Sequence, residues 1–279
     1  MFYILLGKEV SIGYHIGEGD ARMHLAYRQK ANGMYILRKE DFEDIATNVL
    51  REYAPQVLQT PRPLDVEYFM LECLYLDIKK CFITPNGSVM GMIAMEDTYC
   101  PEWRGQGPQA EFLPAGTVVI DASLCGLEQK PRCRFTEAHE ASHWLLHRSF
   151  HSSDKREFSF RTDWRKIACR SSTIERFSWK HDHAWTDNDW EEWQADSLAA
   201  ALLMPGDSFR EAVETAMRHQ GIRQRYLVKG EKVYEANCVI NEVANLFGVS
   251  RKATQIRMSQ FCMIRESWLD KSQRGYMRG

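Results

Sequence analysis

The feature that most constrains this chain of 279 residues is the helical run that contains His139, Glu140 and His143 in the pattern H-E-x-x-H. Residues four apart project from the same face of an α-helix, so both imidazoles can reach one metal ion while Glu140 lies beside it. Zinc held by three protein ligands keeps a fourth position open for water, and a carboxylate too distant to bind the metal can take a proton from that water. The pattern therefore predicts the working group of a metallohydrolase.

The residues around this motif favour a packed helix. A mostly apolar stripe at spacings of three, four and three flanks the histidines and consists of Phe135, Ala138, Ser142 and Leu145. The alternative is a surface helix, although the His and Glu frequencies of this sequence give only about 0.02 chance occurrences of the motif. His147, one turn further along, is expected at the surface, and a role in stabilising an oxyanion is the less favoured interpretation.

A catalytic zinc site needs a third protein ligand, and the residues after the motif decide its kind. The extended form with a third histidine fails, because Leu146 stands at its glycine position and Ser149 at its histidine position. A carboxylate from a second helix is the remaining common solution. The stretch from Trp190 to Pro205 is predicted to be that helix, with caps offered at its start by Asp187, Asn188 and Asp189.

On this second helix, Glu192 and Asp196 share a face. Glu192 is the predicted third ligand, and Glu191 is its nearest competitor. Asp196 lies one turn away and could accept the free ring N–H of a ligand histidine, which would fix the tautomer of that histidine. Acidic residues are also common at helix N-termini, so two solvated carboxylates are the alternative. The apolar neighbours Trp190 and Trp193 argue against a fully exposed segment.

The two motifs can be compared with known families. The first runs from Arg134 to His143, and the second reads E-x-x-A-D-x-x-A-x-x-L-L-M-P from Glu192 to Pro205. Together they resemble the ImmA/IrrE family of zinc peptidases, over roughly Pro61 to Phe261. Two departures are a long segment between the motifs and the lack of a helix-turn-helix pattern in the first sixty residues.

The resemblance implies a cytoplasmic metallopeptidase that cleaves a DNA-binding repressor, in a mobile element or in a response to DNA damage. It implies that one zinc ion, with manganese as the alternative metal, is held by His139, His143 and Glu192, and that Glu140 is the base. It also implies a zincin-like core, in which a small sheet lies against the motif helix and the helix that bears Glu192.

Periodicity alone predicts an α+β protein. Helices are expected at residues 39–53 and 65–76, and short strands at residues 80–84, 88–94 and 117–121, with a turn signal at residues 85–87. Because Pro61 and Pro63 punctuate the chain, we expect an N-terminal segment at 1–60, a catalytic domain at 61–205 and a helical C-terminal region at 206–279.

Between the motifs, residues 148–188 form a predicted insertion that is basic and aromatic. Residues 148–180 contain nine Lys and Arg against four Asp and Glu. Such a segment can bind nucleic acid by charge and stacking, can form a lid over an extended acidic peptide, or can be an ordinary loop. Cys169, His181 and His183 lie in or just after this stretch, and none of them is chosen as a ligand.

The C-terminal region contains a possible second activity. Helices are predicted at residues 233–247 and 251–261, and the turn Gly248-Val249-Ser250 between them resembles that of a helix-turn-helix. Its exposed face would consist of Arg251, Lys252, Gln255 and Arg257. DNA binding, with a structural or vestigial metal site, is therefore the main rival hypothesis. A metal-dependent hydrolase of another bond is the third.

Composition excludes several other classes. The formal net charge is -2, so no global basic excess points to nucleic acid. The eight cysteines include no C-x-x-C pair, which favours reduced thiols over a disulfide framework or a zinc ribbon. The N-terminal residues do not form a signal peptide, and no run approaches the roughly 18 apolar residues of a membrane span. We therefore expect a cytoplasmic protein.

Overall fold

The computed structural model describes residues 11–13, 22–105, 107–152, 168–170 and 185–265. Its helices are α1 (Lys39–Tyr53), α2 (Gln56–Gln59), α3 (Val66–Tyr68, continued by a π-helical turn at Phe69–Cys73), α4 (Lys130–Ser152), α5 (Asp187–Leu203), α6 (Gly206–His219), α7 (Val233–Phe247) and α8 (Arg251–Gln260). Its strands are β1 (Ser11–Gly13), β2 (Arg22–His24), β3 (Asp77–Cys81), β4 (Val89–Ile93), β5 (Thr98–Trp103), β6 (Pro108–Leu113), β7 (Thr117–Asp121), β8 (Ala168–Arg170), β9 (Leu227–Val228) and β10 (Ile264–Arg265). The predicted mixture of helices and small sheets is confirmed.

The largest sheet in the described part of the chain has the strand order β3-β7-β4-β8. Strand β3 is parallel to β7, whereas β4 is antiparallel to both of its neighbours. The strands predicted at 88–94 and 117–121 are confirmed, and the first strand lies three residues earlier than predicted. Since β7 lies between β3 and β4, the turn at residues 85–87 joins two strands that are not hydrogen-bonded to each other.

Strand β7 is buried on both faces of this sheet. Val118 and Ile120 belong to the main core, which the helices complete, and Val119 belongs to a smaller cluster on the other face. Because successive side chains of a strand point to opposite faces, the β5–β6 hairpin and the helices cover the two sides of the sheet. This explains the continuous β-branched run, since a strand covered on both faces needs no polar alternation.

Helix α4 packs against β4 and β7, α5 packs against α4, and α1 packs against α5. The helix predicted at 39–53 is confirmed as α1. The predicted caps of α5 are wrong, because Thr186 caps this helix and accepts a hydrogen bond from the backbone N–H of Asp189. The Asp189 carboxylate in turn accepts from the backbone N–H of Thr186, a reciprocal capping box. Asp187 instead accepts a hydrogen bond from Lys30 at 2.7 Å.

Helices α7 and α8 are joined by a turn at Gly248, whose φ of 63° lies in the left-handed region. The predicted exposed face of α8 is wrong for Arg257, which is buried. Its guanidinium donates to the carbonyl of Met204 at 2.8 Å and forms an ion pair with Glu43 at 2.7 Å. Arg257 therefore ties α8 to the C-terminal end of α5 and to α1. Arg251 and Lys252 remain exposed.

Several expectations fall outside the described residues. These include most of the basic and aromatic insertion, with His181 and His183, and most of the first 21 residues. Cys169 belongs to β8 and pairs through its backbone with Gly91, while its side chain is not described. Every helix in the described ranges is too short or too polar to traverse a lipid bilayer.

Candidate metal centre

The three residues of the motif lie on the part of α4 that is covered by the sheet on one side and by α5 on the other. His139 and Glu140 are fully buried, and His143 is 3% exposed. The burial arises because α4 and α5 pack along their length and β4 lies under the same turns of α4. The predicted packed helix is thus confirmed, and the surface alternative for the motif is wrong.

Three ligand atoms converge between α4 and α5. The Nε2 atoms of His139 and His143 are 2.9 Å apart, and the Glu192 carboxylate lies 3.6 Å from the first and 3.8 Å from the second. In a tetrahedral site with metal–ligand bonds of about 2.0–2.1 Å, ligand atoms are roughly 3.3 Å apart. The separations and the set of two imidazoles and one carboxylate therefore fit a single metal ion.

The neighbouring acid, Glu191, lies on the other side of His143. Its Oε1 is 3.8 Å from His143 Nδ1, the ring nitrogen that faces away from His139. The same oxygen is 2.5 Å from His151 Nε2, which is hydrogen-bonding distance. Of the two acids that the sequence left in competition, only Glu192 lies beside both Nε2 atoms.

Asp196 lies one turn beyond Glu192 and contacts the other nitrogen of His139. Its Oδ1 is 2.8 Å from His139 Nδ1, so the ring donates through Nδ1–H and leaves Nε2 free to bind a metal. Burial by itself lowers the pKa of His139, but the hydrogen bond and charge of Asp196, helped by Glu192 and Glu140, raise this pKa to about 9 in the metal-free protein.

The comparison with known families concerns this same pair of helices. Residues 127–259 match the model of the IrrE N-terminal-like domain, the peptidase family M78. This part of the chain is therefore similar to the ImmA/IrrE family. The matched range contains α4, β8, α5, α6, β9, α7 and most of α8, and the match indicates a metallopeptidase-type function. No curated protein matches the chain.

His147 is not the surface residue that the sequence suggested, because it is fully buried. Its Nε2 lies 3.1 Å from the side-chain oxygen of Gln194, and its Nδ1 lies 3.0 Å from His143 Nδ1. Burial lowers the pKa of His147 to about 4 and, together with the neighbouring imidazoles, holds the pKa of His143 well below its usual range. Both rings are therefore neutral near pH 7.

Sequence reasoning also missed Gln194 and Gly91. Two signals were available in the sequence: His147 continues the four-residue spacing of His139 and His143, and Gln194 lies between Glu192 and Asp196 on α5. Gly91 gave no such signal, because its importance comes from the contact between β4 and α4. A Cβ atom at Gly91 would lie 2.5 Å from Thr136 Cγ2 and 2.9 Å from Glu140 Oε1.

Gly91→Ala is expected to lower the free energy of unfolding by about 1–3 kcal/mol, because the added methyl group overlaps α4 at two side chains. Denaturant unfolding of both proteins would measure the difference. Gly126→Ala is the matched control: a Cβ there meets no atom within 4 Å, and its φ of -72° suits alanine. An equal loss of stability in the two variants would contradict the close approach of β4 to Glu140.

Proposed function

We propose that this protein is a zinc-dependent endopeptidase in which His139, His143 and Glu192 hold one ion and Glu140 is the general base. The observation that carries the proposal is the convergence of two imidazole Nε2 atoms and one carboxylate within 4.8 Å of one another, on the helix pair that also holds the buried Glu140 of the H-E-x-x-H motif. Manganese is the alternative metal, because imidazole and carboxylate ligands suit both ions.

The arrangement around this site supports a zincin-like core. The β3-β7-β4-β8 sheet lies against α4, and α5 brings Glu192 and Asp196 to the same face of α4. Each side chain in the proposed roles lies on a long helix and not on a loop, which favours precise placement. The C-terminal end of α5 is itself held, since Arg257 donates to the carbonyl of Met204.

In the proposed reaction, a zinc ion held by His139, His143 and Glu192 would act as a Lewis acid, which polarises the peptide carbonyl and lowers the pKa of a water molecule. The chain supplies the proton transfers. Glu140 accepts the proton of the attacking water through its carboxylate and delivers it to the nitrogen of the leaving amine. Asp196 accepts the Nδ1–H of His139 and so keeps Nε2 of that ring directed toward Glu192.

For the substrate, we propose a DNA-binding transcriptional repressor of the helix-turn-helix class. The support is the resemblance of the two motifs to the ImmA/IrrE family, which implies such a regulator in a mobile element or a stress response, together with the match of residues 127–259 to the IrrE N-terminal-like domain. The α7–turn–α8 unit is proposed to help dock this substrate. Arg251 and Lys252 are exposed on it, whereas Arg257 is committed to Glu43 and to the end of α5.

The direct test is incubation of the purified protein with the repressor encoded beside its gene. We expect cleavage at one bond by protein that contains about one zinc ion per chain, loss of cleavage after removal of the metal with a chelator, and recovery on addition of zinc. Mass spectrometry of the fragments gives the cleaved bond. An intact repressor together with metal-dependent hydrolysis of a small ester would instead support the hydrolase of another bond.

A further inference from the structure

Helix α4 carries four histidines at intervals of four residues: His139, His143, His147 and His151. Residues at this spacing lie on one face of a helix, so the four imidazoles form a row along α5. The proposed reaction uses only the first two. His147 is nevertheless fully buried, and both of its ring nitrogens lie within hydrogen-bonding distance of a polar atom.

A chain of hydrogen bonds leads from the backbone of Tyr35 through Gln194 to His147. The backbone carbonyl of Tyr35 can only accept hydrogen bonds, and Gln194 Nε2 donates to it at 2.8 Å. This fixes the orientation of the Gln194 amide and turns its Oε1 toward His147 Nε2 at 3.1 Å. An amide oxygen can only accept, so the proton of the His147 ring lies on Nε2.

That proton position determines the next contact. A neutral imidazole carries one N–H, so His147 presents a lone pair at Nδ1. This atom is 3.0 Å from His143 Nδ1, which must therefore be the donor. His143 then has its own lone pair at Nε2, the nitrogen that lies 2.9 Å from His139 Nε2 and 3.8 Å from Glu192.

The nearest carboxylate does not provide an alternative partner for His143. Glu191 Oε1 is 3.8 Å from His143 Nδ1 and 3.9 Å from His147 Nδ1, beyond hydrogen-bonding distance of both. It is 2.5 Å from His151 Nε2. Of these contacts, the His147 nitrogen is the one close enough to accept the N–H of His143.

We propose that His147 and Gln194 are positioning residues, which hold His143 in the tautomer and orientation that direct its Nε2 to the metal. The inference rests on the proposed function in one respect, that His143 is a ligand. The two proposed ligand histidines are then held differently. His139 donates to the carboxylate of Asp196, whereas His143 donates to the neutral imidazole of His147. The tautomer of that imidazole is fixed by the Gln194 amide, which is itself oriented by a backbone carbonyl.

A second metal site is the competing account of the same atoms. His143, His147 and Glu191 are all buried, and one ligand atom from each lies within 4.8 Å of the others. A metal there would use His143 Nδ1 and His147 Nδ1. However, a histidine that gives Nε2 to one ion normally keeps its proton on Nδ1, so the two sites would compete for His143. The account therefore predicts one ion per chain, held by His143, His147 and Glu191, unless both ring nitrogens of His143 bind metal, which would give two ions.

The first measurement is of tautomers, in the full chain labelled with ¹⁵N-histidine and loaded with zinc. We expect His143 as the Nδ1–H form with Nε2 on the metal, and His147 as the Nε2–H form. Gln194→Met leaves both proposed ligand histidines unchanged but removes the amide that fixes the tautomer of His147. In this variant we expect His147 to lose its single Nε2–H form, a spectroscopic change that simple loosening of the fold would not produce.

The second measurement is zinc affinity, by competition with a chromophoric chelator. His147→Phe keeps a ring but removes the acceptor, and we expect zinc binding to weaken about 10–100-fold. His147→Asn places an amide oxygen near the position of Nδ1 and should recover most of that loss. His219→Asn is the matched control, since His219 is an exposed histidine paired with Glu242. Circular dichroism of the metal-free proteins checks that each variant is folded.

The outcomes separate the two ideas. One zinc per wild-type chain, with His147 found as the Nδ1–H form or with wild-type affinity in folded His147→Phe, would overturn the positioning role and leave the proposed function standing. Two zinc ions per wild-type chain would favour the second metal site instead. A wild-type chain that binds no zinc would remove the proposed function and, with it, this inference.

Discussion

Glu140→Gln is expected to abolish repressor cleavage while about one zinc ion stays bound per chain. Glutamine has the same shape, so it preserves the packing of a fully buried side chain beside Gly91. It cannot accept a proton from water at neutral pH and pass it to the leaving amine. Since a general base contributes typically about 10²–10⁴-fold, we expect a loss of at least that size in kcat/KM, measured by fragment formation over time.

Glu137→Gln provides the control for this experiment. Glu137 is also buried on α4, one turn before Glu140, and its carboxylate accepts a hydrogen bond from the thiol of Cys133. Burial raises the pKa of Glu137. A change at this position tests whether any buried carboxylate of α4 is sensitive to substitution. Retained cleavage in Glu140→Gln, or an equal loss in both variants, would contradict the role of Glu140 as base.

The sequence predicted the local parts of the site because they depend on spacing along one helix. The four-residue interval between His139 and His143 brings their rings together in any straight α-helix, and Glu192 and Asp196 share a face for the same reason. The bounds of α1 were predicted for a similar reason, because the helical spacing of its apolar residues and the following Pro55 are both local features of the sequence.

The parts that the sequence did not predict depend on contacts between distant segments. The position of β7 between β3 and β4 requires parallel pairing of residues 77–81 with residues 117–121, which no local pattern encodes. The β5–β6 hairpin was missed because Pro101 and Pro108 lie within its strands and argue against strands when read locally. Proline is tolerated in this two-stranded sheet, where both strands are edges.

His147 shows the same limit within the site. Its spacing from His143 was visible in the sequence, but its partner Gln194 lies on another helix, and Gln194 in turn donates to the carbonyl of Tyr35, more than 100 residues earlier in the chain. Whether the turn of α4 that carries His147 is covered depends on how far α5 extends along it. Periodicity gives the face of a helix, whereas the length of the covered stretch is a property of the packed structure.

Glu192→Ala is expected to reduce zinc affinity by more than about 100-fold, the upper range for loss of a supporting residue, because it removes a proposed ligand and not only a partner of one. Alanine favours helix, so α5 should remain folded. His139 and His143 would keep their partners, Asp196 and His147, but two ligands do not complete the three-ligand set of an open zinc site. Chelator competition measures the affinity, and cleavage should be lost with the metal.

Glu191→Ala is the matched control, because the two acids are neighbours on one helix and lie on opposite sides of His143. Glu191 lies within hydrogen-bonding distance of His151 and approaches His143 only from the side of Nδ1, so its removal should leave zinc bound. Glu191→Ala that loses zinc while Glu192→Ala keeps it would place the ion in the cluster with His147. The comparison of these adjacent residues therefore decides on which side of His143 the metal lies.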